Sequence, residues 1–132
     1  MSDHFDQVKG YVLELDLQIE EEIAAEEILV VNDHERGIQN LVIDCEDEVL
    51  VLEQLILKLD PAAGDQVCRR ILQINRELVY GAFVLDEEGD TLIYRNTLAL
   101  ENLDLNELDS TINALSLGLA ENGAELLAFA QK

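Results

Sequence analysis

Positive charge is what this chain has least of. Eight lysines and arginines stand against 29 aspartates and glutamates, a formal net charge of −21. Such a surface repels phosphate backbones, so general nucleic-acid binding is disfavoured. Anionic membrane surfaces are disfavoured for the same reason. The partners it suits are basic surfaces, or apolar segments that must stay soluble. Strong net charge also limits self-association while straining the fold. Cysteine is nearly absent: Cys45 and Cys68 are the only two, with no CxxC. A zinc site needs about four ligands at short spacings, and His4 and His34 do not supply them. The expectation is no metal, no cofactor and two small buried or half-buried thiols in a reducing cytosol. The single proline, Pro61, punctuates only a helix start. There is no P-loop and no GxGxxG; Gly81, Gly89, Gly118 and Gly123 are isolated. No run approaches the roughly 18 apolar residues of a membrane span. The start, "MSDHFDQVKGYV", lacks a basic region followed by an apolar core, so no signal peptide is expected and the expected location is the cytoplasm.

What is there is apolar content. At 132 residues and 48% hydrophobic, the chain suits one domain over residues 1–132, able to hide roughly two-thirds of its unfolded surface. It is not a disordered acidic tail, which would pair charge with low hydrophobicity.

Phe5, Val8, Val12, Leu15 and Ile19 step by three and four, which places them within roughly 80° of a helix. Ser2 or Asp3 would cap it. The acid run Glu20, Glu21, Glu22, Glu26 and Glu27 could extend the helix, but most of it reads as a link into a strand at residues 28–31. "NDHERG" is a turn, with Gly37 free to take positive φ. In "IQNLVIDC", Leu41, Ile43 and Cys45 share one face, and Ile38, Asn40, Val42 and Asp44 the other. "EDE" turns the chain into "VLVLEQLILKL", apolar on both sides: Val49, Val51, Leu55 and Leu57 against Leu50, Leu52 and Ile56. A strand apolar on both sides is covered on both sides. Asp60–Pro61 starts a second helix. Its core stripe is Val67, Ile71, Ile74 and Leu78, with Arg69 and Arg76 almost opposite. "VYGAFVLDEEGDTLIYRNTLAL" is a hairpin turning at Gly89. Asp104 and Glu107 form a capping box for the last helix, stapled by Leu103 and Leu108. Leu108, Ile112, Leu115 and Leu119 make its apolar face, and Asn122–Gly123 ends or weakens it.

The order is therefore α-β-β-β-α-β-β-α, an α+β fold with an antiparallel sheet of five strands. This order, with the elements "GIQNLVIDCEDEVLVLEQLIL", "RRILQINRELVYGAFVLDEEGDTLIYRNTLAL" and "LDLNELDSTINALSLGLAE", resembles the YbjN-like family within the type III secretion chaperone-like fold, to which Tir chaperone-type domains belong. The likeness covers most of residues 28–121 and adds one helix before them. It implies a non-enzymatic bacterial protein, often a homodimer, whose secretion-chaperone relatives bind extended segments of a partner. No catalytic motif transfers, and fold does not fix function.

Possible chemistry meets a plainer reading at each point. Asp86, Glu88 and Asp90 have the alternate spacing of a calcium loop, but Thr91 and Thr97 stand where glycine and an acid are required. Catalytic carboxylate pairs need environments that push their pKa values apart, and these acids fall in turns and on polar faces. Cys45 and Cys68 have no base placed by spacing. Arg69, Arg70 and Arg76 gather three of eight bases on one helix. They are either a docking point or, as Asp65 and Arg69 at i,i+4 suggest, self-neutralised. The expectation is a soluble protein-binding module, chaperone-like or regulatory, with Val49, Val51, Leu55, Leu57, Arg69 and Arg76 at a dimer or partner interface. The alternative is an acidic mimic of nucleic acid that occupies a basic DNA-binding surface. An enzyme is a distant third.

Overall fold

The computed structural model describes residues 3–131. The chain runs α1 (Asp3–Glu14), β1 (Gln18–Ile23), β2 (Ile28–Asp33), β3 (Ile38–Glu46), β4 (Val49–Lys58), α2 (Asp65–Glu77), β5 (Ala82–Leu85), β6 (Thr91–Ala99) and α3 (Leu105–Leu127). The strands form one six-stranded antiparallel sheet, ordered β1-β2-β3-β4-β6-β5. The α+β class holds, with one strand more than the five expected.

The extra strand is β1, where the sequence reads as a link. Glutamate is poor in strands, yet pairing fixes this segment. A turn at Ala24–Glu26 closes with Glu27 at φ 58°, which sets Ile19 opposite Val31 and Glu22 opposite Leu29. Ile19 packs on the core, and Lys9 of α1 holds Glu22 at 2.7 Å. An edge strand tolerates acids, which also deter pairing with another chain.

Simple alternation fails twice, each time at an irregularity in the ladder. Leu41, Ile43 and Cys45 are buried as expected, but so is Ile38, assigned above to the opposite face. The register shifts between Val31 and Asp33, and Asn40 takes φ 52°. Such a bulge changes the phase of the strand. The backbone groups it frees find side chains. The Asn40 N–H donates to Asn32 Oδ1 at 2.7 Å, and the Gln54 amide accepts from the Gln39 N–H and donates to the Gly37 carbonyl. The second irregularity lies between Leu55 and Leu57. Beyond it Leu57 pairs with the buried Leu92 and, like Ile56, packs on the core. Leu57 therefore leaves the set with Val49, Val51 and Leu55.

Asp60 and Pro61 build a 3-10 turn over Pro61–Ala63, with the Asp60 carboxylate accepting from the Ala62 N–H. Gly64, at φ 77°, then redirects the chain into α2, which starts later than expected. At α3, Asp104 accepts from the Glu107 N–H at 2.8 Å, and Leu103 and Leu108 are buried. The reciprocal half of the capping box is not formed among the described residues. The helix passes through Asn122–Gly123, where Asn122 Nδ2 donates to the Gly118 carbonyl. Ser2, a candidate cap of α1, lies outside the described residues; Asp3 is already helical.

One core joins the pieces. Phe5, Val8 and Val12 of α1, Val67, Ile71 and Ile74 of α2, and Leu108, Ile112 and Leu115 of α3 cluster with Leu29, Leu41, Ile43, Leu50, Leu52 and Tyr94 of the sheet. All three helices thus bury their stripes against one sheet face, and the other face carries no helix.

Candidate protein-interaction surfaces

The uncovered sheet face is built from the residues that alternate with the core. Pairing aligns Ile28 with Asp44, Val30 with Val42, Asp44 with Val51, and Glu46 with Val49. It continues through Val51 with Thr97, Glu53 with Arg95, and Leu55 with Ile93. Paired residues share a face, so branched aliphatics and carboxylates are interleaved in rows across the strands. Leu55 is 69% exposed and Val49 39%, whereas Val51, at the centre, is 6% exposed. A hollow of about 460 Å³ opens here, lined by Val30, Val42, Leu55, Gln39, Asn40 and Glu53.

The charges on this face are poorly balanced. Asp44 is pushed up to about 6, first by burial, then by its hydrogen bond to the Glu46 side chain and by the charges of Glu46, Glu26 and Glu53. Arg95 donates to Glu53 at 2.8 Å. Among the described residues no ion pair reaches Asp44, Glu46 or Glu26.

A second surface lies on the outer side of α2. Arg69 and Arg76 are exposed, as their helical phase requires. The expected Asp65–Arg69 pair is not made, and neither Arg69 nor Arg76 has an ion pair among the described residues. Arg70 does: its guanidinium donates two hydrogen bonds to Glu125 of α3, at 2.6 and 3.0 Å. Between the two free arginines stands Leu72, 70% exposed. Sequence reasoning missed Leu72, although three- and four-residue steps link it to Arg69 and Arg76. Asp65, Arg69, Leu72, Gln73 and Arg76 frame a shallow depression of about 580 Å³. Beside it, the Asn75 side chain accepts from the Phe83 N–H and donates to the Phe83 carbonyl, at 2.8 and 3.0 Å. One amide thus satisfies both backbone groups of Phe83 on the outer edge of β5.

The expected interface residues therefore fall in three places. Val49, Val51 and Leu55 are together on the open face, Arg69 and Arg76 are on α2, and Leu57 is on the core side. The remaining candidates for chemistry stay apart. Cys45 is buried, and its thiol is pushed up to about 11 by burial and by Glu27 and Asp44. That disfavours the thiolate a nucleophile requires. Cys68, expected to be buried or half-buried, is instead exposed on α2, because it lies beside the core stripe of Val67 and Ile71 and not within it. Asp86 accepts hydrogen bonds from the Thr91 and Asp90 N–H groups, which hold its pKa below the ordinary value, so its carboxylate organises the hairpin turn. No group of three or more potential metal ligands occurs among the described residues. No helix there is long and apolar enough to cross a membrane.

A sheet with helices on one face and an acidic, apolar face left open is the arrangement against which known proteins can be compared. The CesT_Tir_1 family model matches residues 1–132. The chain belongs to the CesT_Tir_1 family. Solved structures agree on the fold at low identity. YbjN from E. coli superposes with a TM-score of 0.71 at 14% identity, covering 92% of each chain. The HopA1–SchA chaperone–effector complex gives 0.62 at 14%, covering 87% of this chain and 89% of that one. The Yersinia pestis type III secretion chaperone SycH, solved with a stable fragment of YscM2, gives 0.55 at 15%, covering 85% and 92%. The fold is type III secretion chaperone-like. No curated protein matches the chain at a significant level of sequence similarity.

Proposed function

We propose that this CesT_Tir_1 protein is a non-enzymatic binding module of the cytoplasm, folded as one domain, that holds a segment of a partner protein on the open face of its sheet. The observation that carries this reading is that face itself. Its aliphatics include the 69% exposed Leu55, and among the described residues no helix lies over it. Large aliphatic side chains exposed on a sheet face that no helix covers are a common mark of an interface. Two structures of the same fold, SchA and SycH, are complexes with protein partners, which supports the reading by analogy. Binding is stoichiometric: the apolar rows take the segment, and the surrounding acids keep the complex soluble.

A homodimer belongs to the same reading. The outer side of α2 offers Leu72 between two unpaired arginines, and a second copy carries acids in excess to meet them. Two-fold closure is the commonest arrangement. Repulsion between two chains of −21 opposes association, so the dimer should tighten as salt rises. Light scattering at low and high salt tests this, and a monomer at both would defeat the dimer.

Capture of partners from a lysate with mass identification, followed by reconstitution with the purified partner, tests the main proposal. A complex that survives high salt and is weakened by Leu55→Glu supports it. A complex that dissolves steeply with salt and forms only with DNA-binding proteins would instead identify a charge mimic. A purified protein that turns over a substrate would overturn the non-enzymatic reading.

A further inference from the structure

We propose that the occupant of the open sheet face is an extended, basic amphipathic segment, whose inward side chains alternate aliphatic residues with lysine or arginine. This rests on the protein-binding reading above and names the class of segment. Along β3 and β4 the face presents Val42, Asp44, Glu46 and Val51, Glu53, Leu55, so every aliphatic has a carboxylate near it. A wholly apolar segment would bury Asp44 and Glu46, which have no ion pair among the described residues, and burying an unpaired charge in a dry contact is strongly unfavourable. A second copy of the same face would bring carboxylate against carboxylate. Cationic side chains at alternate inward positions answer both problems. An extended chain repeats its inward side chains about every 6.6–6.8 Å, the spacing of same-face residues on the strands beneath it.

The state of the carboxylates points the same way. Burial first, and then the neighbouring Glu46, Glu26 and Glu53, raise the affinity of Asp44 for a proton. A lysine or arginine from a partner supplies the missing positive charge. Among the described residues the base paired in register with these rows is Arg95, which already donates to Glu53. The hollow bounded by Val30, Val42 and Leu55 gives an apolar seat, with Glu53 on its rim.

Fluorescence anisotropy with labelled peptides tests this on the full chain. One peptide repeats Val-Ser-Lys-Thr, which puts valine and lysine on the same inward side of an extended strand. A permuted peptide repeats Val-Lys-Ser-Thr, with identical composition and charge but lysine facing outward. The first should bind at least about tenfold more tightly at moderate salt, a difference of about 1.4 kcal/mol. Glu46→Lys and Leu55→Asp, both at exposed positions, should each weaken the first peptide about tenfold. Glu121→Lys makes the same charge change on α3 and should alter binding less than about twofold. Equal affinity for the two peptides, or equal losses from Glu46→Lys and Glu121→Lys, would show only diffuse attraction to an acidic protein and would overturn the proposal. If captured partners bind through this face but their segments lack basic residues, the occupant is wrong while the binding function stands. If no protein partner uses the face, both fall.

Discussion

Replacing Asp44 by asparagine should stabilise the protein at neutral pH. The substitution is nearly isosteric and keeps a hydrogen-bonding side chain beside Glu46, but removes a charge that its surroundings disfavour. Burial and the nearby Glu46, Glu26 and Glu53 push the carboxyl from 3.8 up to about 6. Each pKa unit corresponds to about 1.4 kcal/mol, so the ceiling is about 3 kcal/mol. Asp44 still meets water, and screening lowers the expected gain to about 1 kcal/mol, or roughly 3–5 °C in Tm for a domain of this size. The sign follows from proton uptake. Between pH 4 and 6 the folded state binds more protons at this site than the unfolded state, so stability falls as pH rises through that window. The penalty is complete above about pH 6 and vanishes below the unfolded value of 3.8. The advantage of Asp44→Asn should therefore be largest at pH 7–8, about half as large at pH 5 and about a fifth at pH 4. Thermal melts of both proteins, followed by circular dichroism across this range, measure it. A gain independent of pH, or a loss of stability at pH 8, would refute the electrostatic account.

Three further outcomes are expected. Leu115→Ala, deep in the core, should cost about 2–5 kcal/mol in urea unfolding, whereas Arg76→Ala on the exposed side of α2 should cost under about 1 kcal/mol; equal losses would contradict the packing of α2 and α3. Gly81→Ala should cost more than about 2 kcal/mol in the same assay, because Gly81 has φ 72° and a Cβ there would lie 2.5 Å from the Tyr94 hydroxyl, which already donates to the Tyr80 carbonyl at 2.6 Å. Chelation should leave Tm unchanged; a fall of several degrees would reveal a structural metal, since metal binding contributes to folding stability.

Local readings of the chain succeeded where the chemistry was local. The helical stripes through Val67, Ile71 and Ile74 and through Leu108, Ile112 and Leu115 are buried as their spacing requires. Asp104 caps α3, and Gly37 and Gly89 take positive φ in the turns that need them. The order of elements was enough to suggest the chaperone-like fold. Readings failed where the outcome depends on a neighbour. The acid run at Gln18–Ile23 has little strand propensity of its own and becomes β1 because β2 offers hydrogen bonds and a place for Ile19. Ile38 and Leu57 changed faces because single-residue bulges shift the two-residue period, and a bulge leaves little trace in composition.

The candidate surfaces divide in the same way. The sequence alone determined that the chain would be strongly acidic, that β4 would be apolar on both sides, and that Arg69 and Arg76 would point away from the core of α2. Charge follows from residue counts, and phase follows from the repeat of an isolated helix or strand. Only the tertiary structure decided that the three helices would all pack on one face and leave Val49 and Leu55 exposed on the other, with Val51 buried between their neighbours. It alone brought Asp44 beside Glu26 and Glu53, and left Arg69 without an ion pair among the described residues while Arg70 found Glu125. Each of those depends on long-range packing, which sets the distances between residues remote in sequence.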